Sequence, residues 1–127
     1  MANELDEQDG LAGGVFVVTG ATQGIGEAIA SRLAKQGDLA EVATCQRIMA
    51  IADEVFGRVD GLVNAAGLTD RGTIDDTTPE VWDRLFAVNA RAPFFLIQEA
   101  GQIMRREGIS GRIVNIAHAT TPYSLSV

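Results

Sequence analysis

The sequence predicts an α/β protein with about three short strands, the pattern of strands alternating with helices that builds such folds. Three observations carry this expectation. Val15-Phe16-Val17-Val18, apolar throughout and three-quarters β-branched, predicts a strand buried on both faces. Gly20, Gly24 and Gly26 punctuate the turn that follows, and the turn opens a helical pattern with Ile25, Ile29 and Leu33 on one face. Two more short apolar runs, at 59–63 and 113–116, are separated by segments of helical periodicity.

Length and charge narrow the classes. A chain of 127 residues suits one domain with a modest core. Hydrophobic residues make up 46%, which argues against global disorder. The net charge of −7 repels a phosphate backbone, so nucleic acid is not expected as a partner. No apolar run approaches the roughly 18 residues of a membrane span. Cys45 is the only cysteine and His118 the only histidine, which leaves no internal disulfide and no recognisable zinc cluster. Residues 1–10 are acidic and polar, unlike a signal or transit peptide, and are expected to be a disordered tail ahead of a domain at 11–127. A cytoplasmic protein is the expectation.

The remaining elements follow in order. Gly37 is placed to end the first helix. Val42, Cys45, Ile48/Met49, Ala52 and Val55/Phe56 then recur at helical spacing up to Gly57, so Cys45 is expected to be a reduced core residue. The short strand at 59–63 closes on Asn64-Ala65-Ala66-Gly67, and residues 68–77 read as a polar loop. Thr78-Pro79-Glu80 combines an N-cap, a proline at the first helical position and an early acid. The helix it starts is expected to reach about Gly108, with a kink at Pro93. Its residues Trp82, Phe86 and Phe94 are expected in the core or at a subunit contact. Residues 117–127 show no usable periodicity.

The turn after the first strand carries the chemistry. Glycine takes the backbone angles of a tight strand-to-helix turn, and its missing Cβ lets N–H groups approach a phosphate at the positive end of a helix. Its Thr19-Gly20-x-x-x-Gly24-x-Gly26 form resembles the short-chain dehydrogenase/reductase family. Four further stretches match in order. Asp38-Leu39 resembles the acidic pair whose side chain and backbone hold adenine. Asn64-Ala65-Ala66-Gly67 is similar to the turn that lines the adenosine. Asn89 matches the helix asparagine that helps organise a proton-relay water, and Arg112-Ile113-Val114-Asn115-Ile116 matches the strand that leads to the catalytic serine. The resemblance implies a partial, incomplete Rossmann-like parallel sheet that binds NAD or NADP through Gly20, Gln23, Gly24, Ile25, Gly26, Asp38, Leu39 and residues 64–67. It also implies a small-molecule alcohol or ketone substrate, and a homo-oligomer through the helix from Trp82 to Ile103.

The sequence departs from the family pattern twice. Between Gly37 and Asp38 it lacks a strand, a helix and a further strand, and with them the charged residue that selects NAD or NADP. At the serine position it has His118, with no Tyr-x-x-x-Lys pair: Tyr123 is followed four residues on by Val127, and the only lysine is Lys35. The expectation is an internally deleted, C-terminally truncated relative without turnover, its alternatives a nucleotide-binding or interaction fragment and a non-functional product. The deletion also sets a geometric problem. The helices flanking it should both descend from the sheet, which separates Gly37 from Asp38 by a strand length, ~17 Å, against ~3.8 Å per peptide step. Residues 34–40 are therefore expected to be unwound, or one helix displaced.

Overall fold

A computed structural model describes residues 13–20, 37–70 and 72–116. Within them run β1 (Phe16–Thr19), α1 (Val42–Phe56), β2 (Gly61–Asn64), α2 (Pro79–Phe86), α3 (Ala92–Glu107) and β3 (Arg112–Asn115). A π turn, Ala87–Arg91, joins α2 to α3. The three strands form one parallel sheet in the order β1-β2-β3, with Val17 opposite Leu62 and Leu62 opposite Ile113. Parallel pairing requires a crossover between strands, and α2 with α3 supplies the one from β2 to β3.

One face of this sheet is covered. Val17 and Leu62 meet Cys45, Ile48, Met49 and Ala52 of α1 and Leu96, Ala100, Ile103 and Met104 of α3 in the main core. Cys45 is fully buried, as its place on the helical face predicts, and burial pushes its thiol pKa up. The other face is a correction to the sequence expectation: Phe16 and Val18 are 38% and 41% exposed, so β1 is buried on one face rather than two. Among the described residues no helix packs there. α1 runs to Phe56 as the spacing predicts, but its buried face ends at Ala52, since Val55 and Phe56 are exposed. Polar contact holds that end instead, through an ion pair from Asp53 to Arg106 of α3. Gly57 closes the helix in the left-handed region at φ 68°.

Thr78 caps α2 by accepting a hydrogen bond from the Val81 N–H at 3.3 Å, and Pro79 stands at the helix start. The break in the long helix comes earlier than the kink expected at Pro93. A proline lacks the N–H of the helical ladder and its ring crowds the carbonyl four residues back, here that of Asn89. The wider π turn just before Pro93 is where the helix accommodates it. Downstream, α3 ends at Gly108, φ 66°. The aromatic residues are not core: Trp82 and Phe86 stack at 4.6 Å and, with Phe94, are more than half exposed.

Residues 37–40, the described part of the junction, lie outside any helix. The Asp38 carbonyl accepts the Glu41 N–H at 2.9 Å, and α1 keeps its place in the core. Residues 34–36, and the helical pattern before them, lie outside the described residues.

Candidate functional site

The site begins where β1 ends. Gly20 has φ 78°, and a Cβ there would stand 2.7 Å from both the Cα and the N of Ala66. Only glycine allows the turn after β1 to lie this close to the turn after β2. Thr19 ties the same two turns together, its hydroxyl accepting the Ala66 N–H at 3.3 Å. Both turns stand at the C-terminal ends of parallel strands, where open α/β sheets form their binding crevices. Ala65 and Gly67 are exposed at this edge and Ala66 is half-buried.

Asn64 is the buried root of the second turn. Its side-chain NH₂ donates to Asn115 Oδ1 at 2.8 Å, joining the ends of β2 and β3. Its backbone carbonyl accepts the Ile116 N–H at 2.9 Å. Asn89, in the π turn, grips the loop that follows. Its Nδ2 donates to the Leu68 carbonyl and its Oδ1 accepts the Leu68 N–H, both at 2.8 Å. The carboxamide thus holds one backbone unit by both its groups, beside Gly67.

The same π turn holds the junction. Ala40 is buried against Ala87 and Val88, and Arg91 donates to the Ala40 carbonyl at 2.7 Å. Asp38 uses one carboxylate oxygen to accept the Ala40 N–H at 2.9 Å and the other to pair with Arg84 of α2. The Arg84 hydrogen bond, with that of Ala40, holds the Asp38 carboxyl below the usual carboxylate range. Leu39 turns its side chain against the main core.

Gly20, residues 64–67, Asn89, Asp38 and Leu39, far apart in sequence, are therefore linked through contiguous contacts. Gln23, Gly24, Ile25, Gly26 and His118 lie outside the described residues. Arg84 and Arg91 were not singled out by the sequence, and Thr19 figured there only as the first residue of the glycine motif. Arg84 and Arg91 flank Ala87-Val88 at about one turn's distance on each side, but arginines on a helix read as solvated until the opposite wall is known.

Comparison with known proteins bears on this arrangement. The short chain dehydrogenase family profile matches residues 34–125. The short chain dehydrogenase adrF of Penicillium rubens is 32% identical over 129 aligned positions, covering 80% of this chain and 50% of the relative. Those positions outnumber the residues available here, so the relative has residues without a counterpart in this chain. A short-chain dehydrogenase/reductase from Serratia marcescens superposes with a TM-score of 0.67 at 32% identity, over 84% of this chain and 58% of that one. A metagenomic short-chain oxidoreductase in complex with NADP gives 0.70 at 29% identity, over 88% and 65%. The chain belongs to the short-chain dehydrogenase family, an oxidoreductase family of Rossmann-like α/β proteins. It spans about half the length of the curated relatives it matches.

Proposed function

We propose that this chain is the nicotinamide-nucleotide-binding portion of a short-chain oxidoreductase, and that its 127 residues alone bind NAD or NADP without transferring hydride. The observation that carries this reading is the approach of Gly20 to the Ala66 backbone, which draws the turns after β1 and β2 together at the edge where open α/β sheets bind their ligands. The residues present fit the group. Gly20 with Gln23, Gly24, Ile25 and Gly26 would face the pyrophosphate, Ala65, Ala66 and Gly67 the adenosine, and Asp38 and Leu39 the adenine. When bound, the nicotinamide supplies the hydride chemistry between an alcohol and a ketone. Asn89 would order a relay water beside the Leu68 backbone unit that its side chain holds. With His118 at the serine position and no Tyr-x-x-x-Lys pair, general acid help worth about 10²–10⁴-fold is missing.

In this proposal the domain occupies 11–127 and the setting is cytoplasmic. Calorimetry should give weak, similar affinities for NAD and NADP, since the charged residue that selects between them has no counterpart between Gly37 and Asp38. A tenfold preference, 1.4 kcal/mol, overturns the indifference, and no heat with either overturns the reading. NAD(P)H oxidation with a ketone panel should match the protein-free control. Turnover that is lost in His118→Ala overturns the absence of catalysis. A second reading, self-association through the segment from Trp82 to Ile103, draws on the exposure of Trp82, Phe86 and Phe94 along it.

A further inference from the structure

We propose that Arg84 and Arg91 form a two-point clamp that positions the Asp38–Ala40 segment as the adenine wall of the site, a task that a strand end performs in an intact sheet. The inference rests on the nucleotide reading above, but its geometry is separate from it. In an intact parallel sheet, a residue at the end of a strand is placed by ladder bonds to its neighbours. Residues 37–40 belong to no strand. Three contacts from one helical stretch hold them instead. Arg84 reaches Asp38 from α2, Ala87 and Val88 bury Ala40, and Arg91 holds the Ala40 carbonyl from the far end of the π turn.

The chemistry is specific at each point. Arg91 satisfies the carbonyl of a buried residue. Arg84 takes one carboxylate oxygen while the Ala40 N–H takes the other, which fixes the carboxylate plane. An ionised carboxylate accepts about four hydrogen bonds, so Asp38 keeps capacity for an adenine amino group while both are in place. Arg84 and Arg91 are positioning residues, acting on the nucleotide through Asp38, Leu39 and Ala40.

NAD titrated calorimetrically into the full chain tests the clamp, with amide exchange at Ala40 and Glu41 read in parallel. An exposed ion pair is worth up to about fivefold, so Arg84→Ala should weaken NAD binding by about three- to fivefold. The double variant Arg84→Ala/Arg91→Ala should weaken it by about tenfold or more, as coupled neighbours do. Arg84→Lys should recover most of the single loss, which a merely structural role would not require. Arg105→Ala, an exposed cation near the end of α3, should bind like the parent. In the double variant Ala40 and Glu41 should exchange faster while Leu62 and Val63 in β2 stay protected. If β2 protection is lost as well, the singles decide. Parent-like NAD affinity in Arg84→Ala and the double, or unchanged exchange at Ala40 and Glu41, overturns the clamp. If the parent chain binds no NAD, the nucleotide reading fails and the exchange arm still judges the clamp.

Discussion

Asp60 joins the entries of two strands. Its carboxylate accepts the Val15 N–H at 2.9 Å and a two-point hydrogen bond from Arg58, and its backbone N–H donates to the Val15 carbonyl. The Arg58 guanidinium holds the carboxyl below its ordinary value, with the Val15 N–H adding to the effect. A carboxylate whose pKa falls on folding contributes stability above its unfolded value, and loses it as pH falls through the folded one. Asp60→Asn should therefore lower the urea midpoint by a constant amount above about pH 5. The gap to the parent should then narrow below about pH 4, the usual aspartate range. A gap independent of pH would show that the charge does not matter. Residues of this kind were not legible in the sequence. Asp60 falls inside the strand expected at 59–63, where it has no local role, and its partner Val15 is 45 positions away. Gly20 was legible as a turn glycine by local rules, but its contact with Ala66 depends on which strands are neighbours.

Among the elements, α2 depends most on its own ends. It buries no residue, so its stability comes from the Thr78 cap, the Trp82–Phe86 stack and the Arg84–Asp38 pair. Thr78→Ala should cost about 1 kcal/mol, the usual worth of a threonine cap. The loss should be seen as faster exchange of the Val81 and Trp82 amides, with the unfolding midpoint of the sheet almost unmoved. An equal loss of protection in β2 would mean that α2 and the core open together. The start of this helix was fully legible, because Thr78-Pro79-Glu80 is a local signal that tertiary contacts do not alter. The π turn was not. Pro93 announces a disturbance, but not that the helix takes it up as a wider turn before the proline, from which Asn89 and Arg91 reach Leu68 and Ala40.

At the scale of the whole molecule, the described sheet has three strands and therefore two open edges, β1 and β3. Ile113 and Val114 of β3 are 40% and 50% exposed, and its outer backbone groups meet no described strand. Open apolar edges pair with other chains. Size-exclusion chromatography should show concentration-dependent association, and a charge on the edge strand, Val114→Lys, should reduce it. A monodisperse monomer with a sharp melting transition would contradict this. The number of strands and their parallel arrangement followed from the sequence and the family resemblance, while the burial of β1 and β3 did not, since a run of apolar residues does not say how many helices remain to cover it.

The anchoring of residues 37–40 to the π turn has a consequence for what this chain tolerates. A segment fastened to a helix behind it asks of the residue in front only its local backbone angle, here Gly37 at φ 119°, where a Cβ would stand 3.0 Å from Thr44 Oγ1. The Gly37–Asp38 bond is therefore a natural graft point, at which a folded insert with closely spaced ends could be added or removed while Asp38, Leu39 and Ala40 keep their seats. An architecture of that kind would let the wall of the site keep its place whatever is joined ahead of Asp38.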